Sequence, residues 1–247
     1  MAVTFQRTEF KGRMTPFWRE PKVLPGGFNL AQTFPVGTFI QRGALVAVDF
    51  DNMSASVVKV AKVIAGGTTT KPRVSKNNYF VVGDIVSKFG DGSASPSITA
   101  IDTSNDGFDI LTLSTAYSGL TADDLLVEST EYGYYDCESG DTGALKVVAS
   151  GASTGQINLA NVTPYHGEKG ESLAANDYVV LKLAEAKYLP NMILGSDLKI
   201  EASQLAALDV AYDAIALADV VPEFPSDWRL NGGPCLKANP NIMFIKQ

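Results

Sequence analysis

Residues 36–64 read VGTFIQRGALVAVDFDNMSASVVKVAKVI, with two runs of β-branched and aromatic residues on either side of Asp51-Asn52. Asp and Asn favour turns because they tolerate the left-handed conformation and hydrogen-bond their own backbone, so the segment predicts a β-hairpin. Apolar residues occupy both faces of its first arm. Val46, Val48 and Phe50 are at alternate positions that share one face, and Leu45 and Ala47 are on the other. Both faces of such a hairpin have to be shielded from water, which happens in a small barrel, in a sandwich or against a partner subunit.

The rest of the 247-residue chain has the same β character. Short apolar runs such as YFVV, LKVVA and YVVLKLA alternate with turns rich in Gly, Asn and Asp, which is the pattern of short strands joined by tight turns. The predicted fold class is therefore mainly β, with small β-barrel or sandwich units, an extended Pro-rich N-terminal arm and an irregular C-terminal tail.

We divide the chain into four segments. Residues 1–35 form the arm, and residues 36–66 form the hairpin of a main β-body. Residues 67–129 predict a small β-barrel-like unit, because short and evenly spaced strands are typical of compact barrels; this unit either follows the main body or is inserted into it. Residues 130–247 supply the remainder of the body and the tail.

Two parts of the last segment need their own predictions. Residues 202–217 fit one face of a helix as well as the alternation of a strand, and we favour a strand for the second half because the rest of the chain is β. The tail is rich in proline and ends in the apolar run of residues 242–245. We expect that run to be held against the body.

The arm combines prolines with large aromatic residues. Proline at this density disfavours both a helix and a central strand, so we expect the arm to run extended over a surface. Its aromatic side chains would be costly to leave in water, and it should pack on its own body, on a neighbouring copy or on a larger assembly. The candidate assembly or anchoring residues are Phe5, Phe10, Arg13, Phe17, Trp18, Arg19 and Phe28.

Charge is unevenly distributed along the chain. Through Lys22 there are five basic and two acidic residues, which gives +3 and leaves −10 for the remainder of the total of −7. An acidic body is a poor nucleic-acid binder, because phosphate contacts need clustered Lys and Arg. A basic, aromatic arm on such a body fits an anchor to another protein, the alternative being a frayed terminus with accidental charge.

Membrane insertion and export are not predicted. The chain has no run of 18 or more apolar residues, which a membrane-spanning helix needs. The N-terminal residues MAVTFQRTEFKGRM lack the apolar core of a signal peptide. We therefore do not expect export of this chain by the Sec pathway.

One motif resembles that of a serine hydrolase. Ser153 lies in Gly-x-Ser-x-Gly, but the residues after it cannot form the helix of a nucleophile elbow, and no Asp stands between Ser153 and His166, the single histidine. A serine hydrolase that uses Ser153 and His166 is therefore a remote alternative. The sequence predicts a protein that is not an enzyme.

Metal and cofactor sites are not predicted either. Residues 102–107 begin like a calcium-binding EF-hand loop, but Leu113 stands where the bidentate Glu is needed. Cys137 and Cys235 have no metal-ligand spacing around them, and we expect two free thiols.

Several phrases together resemble the head fiber and capsid decoration proteins of tailed bacteriophages and related prophages. They are RGALVAVDFD with VVKVAKVI, RVSKNNYFVVGDIVSKF with ITAID and LTLS, DVAYDAIAL with SDWRL, and the ending CLKANPNIMFIKQ. The resemblance extends over nearly the whole chain from Gly37 onward. It rests on patterns of β residues, not on a catalytic motif.

The resemblance implies a non-enzymatic structural protein of the virion, attached to the outer surface of the capsid and made in the cytoplasm of a bacterial host. The expected partners are the major capsid protein and two further copies in a homotrimer. Because the chain lacks a repeated shaft or heptads, a short knob or base is expected and not a long fiber. The alternative from the residues alone is a carbohydrate or cell-surface binding β-module that uses Tyr132, Tyr134 and Tyr135.

Overall fold

The computed structural model describes residues 16–167, 173–202 and 206–246, and strands dominate it, which confirms the predicted mainly-β fold. The helices in those ranges are three short 3₁₀ turns, and none of them could cross a membrane. They are Leu159–Asn161, Ser226–Trp228 and Leu230–Gly232. In chain order, the strands are β1 (Lys22–Leu30), β2 (Phe39–Ile40), β3 (Leu45–Asp49), β4 (Ser54–Val57), β5 (Val60–Ile64), β6 (Arg73–Val74), β7 (Val86–Lys88), β8 (Ile98–Asp102), β9 (Asp109–Leu113), β10 (Leu125–Glu128), β11 (Gly133–Asp136), β12 (Leu145–Val148), β13 (Gln156–Asn158), β14 (Tyr178–Lys182), β15 (Met192–Leu194), β16 (Leu198–Lys199), β17 (Ala207–Leu217) and β18 (Ile242–Ile245).

Five strands form a closed first barrel. β1, β4, β3, β15 and β17 pair in that order, and β17 pairs back with β1 to complete the ring. The β1–β4 pair is parallel and the other pairs are antiparallel. Every strand of the ring contributes buried apolar side chains to one interior cluster, among them Phe28, Val46, Val48, Ala55, Val57, Met192, Leu194, Leu208 and Val210.

The predicted hairpin is the pair β3–β4, and its turn lies where the sequence places it. The amides of Asp51 and Asn52 donate to Oδ1 of Asp49 at 2.9 and 3.1 Å, which closes the turn with a side-chain acceptor. Leu45, whose side chain is on the opposite face of β3, belongs to a second buried cluster outside the barrel that also contains Trp228 and Phe244 of the tail. The chain therefore covers both faces of its own hairpin, the inner face by the barrel and the outer face by the tail.

One prediction for the arm was wrong. Its proline content argued against a central strand, but β1 lies between β17 and β4 in the closed ring. The pairing with β17 is interrupted between Leu24 and Phe28, and Pro25 falls in this irregular stretch. A proline is tolerated there because no ladder hydrogen bond is required from its nitrogen.

β17 is a strand throughout its described length, as favoured for the second half of residues 202–217; residues 203–205 lie outside the description. Lys22 faces Asp213 and Val23 faces Ala211, so Tyr212 is an extra residue in β17. Such a bulge moves the following side chains to the opposite face. The first half of β17 therefore fills the barrel, and its second half packs on the tail, where β18 adds to it in parallel. The apolar end of the tail is held down as predicted.

Six strands form a second barrel. β7, β10, β5, β6, β9 and β8 pair in that order, and a bridge between Ile85 and Ser97 joins the two outer strands. Leu111, Leu126 and Tyr117 lie in its buried core. Its strand β5 comes from residues 36–66, the segment assigned above to the main body.

The third sheet is smaller and open. β11, β14, β12 and β13 pair in that order, around a core whose buried side chains are Val147, Val162 and Val179. In sequence, the second barrel and the third sheet both lie between β4 and β15, which both pair with β3. One continuous segment, between strands β4 and β15 of the first barrel, thus forms both the second barrel and the third sheet.

Candidate interaction surface

An apolar groove lies where the segment after β14, the second barrel and the tail meet. It has a volume of about 700 Å³, and we call it the junction groove. The residues of its lining that matter here are Phe89, Leu183, Leu189, Pro190, Trp228 and Lys237. Phe89 and Trp228 contact edge to face with their ring centroids 5.8 Å apart.

Two leucines of the groove are largely exposed to solvent. Leu183 is 56% exposed and Leu189 is 62% exposed, and both belong to the segment that returns from the third sheet to the first barrel. Apolar side chains grouped in a concave surface are characteristic of binding sites. The junction groove is therefore the candidate site for a partner.

The wall of the groove depends on a close backbone contact. The Ala184 amide donates to the Gly92 carbonyl at 2.9 Å. A Cβ atom at residue 92 would clash with the backbone of Ala184, so only glycine allows this approach. The Thr130 amide donates to the Glu185 carbonyl at 2.8 Å, and residues 184–185 are thus tied to the second barrel.

A buried ionic cluster lies at the junction of the first and second barrels. The Lys59 side chain is 2% exposed, and its Nζ lies 2.7 Å from both carboxylate oxygens of Asp84 and 3.4 Å from Oε2 of Glu128. Lys187 Nζ donates to Oε1 of Glu128 at 3.0 Å. Two cations and two carboxylates balance each other, which is what allows charges to be buried.

Gln32 extends this cluster to the first barrel. Its Nε2 donates to Oε2 of Glu128 at 3.2 Å and to the Val57 carbonyl at 3.1 Å, and its Oε1 accepts from the Val57 amide at 2.7 Å. The hydrogen bond from Lys187 to Glu128 raises the pKa of Lys187, and burial partly opposes this rise. The cluster therefore joins the two barrels through ion pairs and side-chain hydrogen bonds.

The predicted anchoring residues of the arm have different environments. Phe28 is buried inside the first barrel and Phe17 in the core between the barrel and the tail, so both pack on their own body, one of the three alternatives above. Arg19 pairs with Asp213 at 2.9 Å, while Trp18 is 59% exposed. Phe5, Phe10 and Arg13 lie outside the described residues.

Ser153 and His166 have separate surroundings. Ser153 is exposed in the turn between β12 and β13, where its amide donates to Oε1 of Gln156 at 3.1 Å. His166 Nδ1 lies 3.0 Å from Oε2 of Glu131, and its Nε2 lies 3.1 Å from the Tyr132 carbonyl. Both ring nitrogens are thus used by groups other than Ser153.

The three tyrosines of the carbohydrate alternative do not form one exposed row. Tyr134 packs on the core of the third sheet. The Tyr135 ring stacks on His166 at 5.3 Å between centroids, and Lys182 Nζ lies 4.7 Å from its centroid. That alternative stays a prediction, and a glycan array run with Tyr135→Ala beside the native chain tests it.

The acidic loop of residues 102–107 is an exposed turn between β8 and β9. Oδ1 of Asp102 accepts from the Ser104 amide at 2.9 Å, and Oδ1 of Asn105 accepts from the Gly107 amide at 2.8 Å. Within the described ranges, no three His, Cys, Asp or Glu side chains form a group that could hold a metal ion. Cys137 and Cys235 are free thiols, as predicted.

Sequence reasoning did not find the junction groove or the ionic cluster. Leu183 lies in the apolar run YVVLKLA, which predicts only a strand, Leu189 belongs to no motif, and Lys59 lies in a run of valines that also predicts a strand. Because the neighbours of Lys59 in this run are apolar, its position was the one local signal that a cation is buried in the cluster. Comparison with protein-family models, curated proteins and solved structures finds no match for this chain.

Proposed function

We propose that this chain is a non-enzymatic structural protein of a tailed-phage virion, a head fiber or capsid decoration protein bound to the outer surface of the capsid. The resemblance described above supports the phage assignment and the major capsid protein as partner. The single observation that carries a binding role is the junction groove with its exposed leucines. Contacts of this kind derive their free energy from removing apolar surface from water.

The proposed homotrimer is supported by the resemblance alone. The hairpin of β3 and β4 needs no partner subunit, because the barrel interior and the tail cover its two faces. Light scattering coupled to size exclusion gives the solution mass. A trimer at micromolar concentration is the expected result, and a monomer at every concentration tested would contradict the homotrimer.

Binding to capsids is tested by co-sedimentation with capsids of the phage or prophage that carries the gene. The double variant Leu183→Asp/Leu189→Asp places two charges in the groove. We expect its affinity for capsids to fall at least about tenfold, because removing a carboxylate from water at an interface costs free energy. The matched control is Val36→Asp/Val82→Asp, which changes two apolar residues that are 67% and 61% exposed and lie outside the groove.

The control should sediment with capsids as the native chain does. Native protein that never sediments with capsids would contradict the proposed function. A groove variant that sediments like the native chain would contradict the role of the groove. Thermal unfolding of both variants, compared with that of the native chain, separates lost binding from lost folding.

A further inference from the structure

A second cavity, separate from the junction groove, holds an arginine with unusual surroundings. It has a volume of about 720 Å³, lies between the second barrel and the tail, and is called here the Arg229 pocket. The lining residues that matter are Lys62, Asp219, Glu223, Phe224, Arg229 and Lys246. No feature of the sequence analysis or of the proposed function accounts for this pocket.

The Arg229 guanidinium is held by two aromatic rings. Its Cζ lies 4.5 Å from the ring centroid of Phe224 and 5.3 Å from that of Phe244, and these two rings contact each other at 4.8 Å. The Arg229 backbone is fixed as well, because it bridges to Leu236 and its amide donates to the Ser226 carbonyl at 2.9 Å. The guanidinium is thus presented from a rigid frame.

The hydrogen-bonding groups of this guanidinium are not used within the described part of the chain. A cation–π contact with a ring gives a guanidinium no hydrogen-bond acceptor, so its five N–H donors still need one. Among residues 16–167, 173–202 and 206–246, no side chain or carbonyl accepts a hydrogen bond from it. Burial lowers the pKa of Arg229, and the nearby Glu223 charge partly offsets this. A partly desolvated cation without an acceptor is poised to bind an anion.

The charge of the lining indicates which anion fits. Three cations, Lys62, Arg229 and Lys246, line the pocket together with two carboxylates, Asp219 and Glu223. Lys62 is already paired, at 2.9 Å with Asp123 and at 3.3 Å with Glu223. Among the remaining charged groups of the lining, Arg229 and Lys246 exceed Asp219 by one positive charge. An excess of one charge suits a group with a single negative charge better than a phosphate dianion.

We propose that the Arg229 pocket binds the carboxylate of an aspartate or glutamate side chain of a partner polypeptide, held by two parallel N–H donors of Arg229. The aromatic ring of Phe224 and the side chains of Val221 and Pro222 form an apolar wall for the methylene groups of that residue. This inference goes beyond the proposed function and does not depend on it, since any acidic protein segment supplies the ligand.

The test is a titration followed by NMR on the full chain with ¹⁵N-labelled arginine. The probe is N-acetyl-glutamate α-amide, which carries one carboxylate, and its neutral counterpart is N-acetyl-glutamine α-amide. We expect the Arg229 Nε signal to shift with the glutamate probe and not with the glutamine probe. Inorganic phosphate serves as the competing anion and should bind more weakly than the glutamate probe.

Two variants sharpen the result. Arg229→Lys keeps the charge but loses the planar pair of donors, so its affinity for the glutamate probe should fall at least about tenfold. Glu223→Gln removes a negative charge that repels the carboxylate of the glutamate probe, so this variant should bind the probe more tightly than the native chain. An Arg229 signal that does not move, an Arg229→Lys variant of unchanged affinity, or a Glu223→Gln variant that binds no better would each overturn the site. Tighter binding of phosphate than of the glutamate probe would overturn the assignment to carboxylate.

Discussion

The first barrel and the third sheet are both built from short apolar strands, but they are buried very differently. In the first barrel, β3 is covered inside by the barrel cluster and outside by Trp228 and Phe244. In the third sheet, β14 has one buried residue between two half-buried ones and ends at two exposed residues, and the buried core of the sheet is Val147, Val162 and Val179. The comparison shows that closure and double covering, more than strand composition, determine how much apolar surface a strand buries.

This difference predicts an order of stability within one chain. Local opening costs least where few apolar contacts have to be broken. The third sheet should therefore open before the first barrel, while the ionic cluster around Lys59 should keep the two barrels together. The four predictions below test this order, beginning with the largest expected effect.

Lys59→Ala should have the largest effect on stability. The variant leaves Asp84 buried without its cation, and breaking a buried ion pair from one side costs about 3–5 kcal/mol of unfolding free energy. Urea unfolding followed by fluorescence measures the loss. Lys22→Ala, which breaks an exposed pair with Asp213, is the control and should leave the midpoint unchanged. Equal midpoints for the two variants would contradict the role given to the buried cluster.

Leu194→Ala should weaken the first barrel. Leu194 is fully buried in the barrel interior, and removing its side chain leaves a cavity that costs about 3 kcal/mol. Thermal unfolding should show one transition at lower temperature, because the ring of strands opens as a unit. A separate early transition of the first barrel alone, with the second barrel intact, would show that the junction does not couple the two barrels.

Val147→Ala should weaken the third sheet alone. Val147 is also fully buried, but the loss should be about 2 kcal/mol, since fewer methyl groups are removed and the small open core can relax. Hydrogen exchange should become faster in β12 and β14 and stay unchanged in β3 and β17. Faster exchange in β3 would mean that the third sheet and the first barrel open together.

Alkaline pH should also act on the third sheet. Burial, with the hydrogen bond from Tyr165 Oη to Asp136 at 2.6 Å, raises the pKa of Tyr165 to about 12, against about 10 for an unfolded tyrosine. The folded state therefore keeps this proton where the unfolded state loses it, and the stabilisation present below pH 10 is lost as the pH rises from about 10 to 12.

Tyr165→Phe removes this titrating group and provides the control. Exchange rates in β14 should rise between pH 10 and 12 more steeply in the native chain than in Tyr165→Phe, after correction for the intrinsic rates. Parallel profiles for the two proteins would show that Tyr165 contributes nothing to the pH dependence.

Much of the fold could be predicted from local sequence. The turn at Asp51-Asn52 and the buried end of the tail depend on residue type and alternation, which are visible in one segment at a time. The mainly-β class follows from the same signals. Residues 202–217 fit a helix as well as a strand, and a strand was favoured for their second half only because the rest of the chain is β. The hairpin with apolar residues on both faces also predicted double covering.

What could not be predicted depends on contacts between distant residues. Nothing local shows that β5 leaves the hairpin for the second barrel, or that Lys59 meets Asp84 and Glu128. The rule against proline in a central strand failed because an irregular stretch of pairing accommodates Pro25. The junction groove was invisible for the same reason, since Leu183, Leu189 and Trp228 come together only through the arrangement of three units.

Hydrogen exchange of the full chain, free and bound to capsids, shows whether the junction groove is the capsid-binding surface. We predict that residues 183–190 and 226–238, which border the junction groove, gain protection on binding, while β13 at the open edge of the third sheet exchanges at the same rate in both states. Protection confined to the third sheet around Tyr135 and His166, with none at the groove, would contradict the account and favour binding through the third sheet.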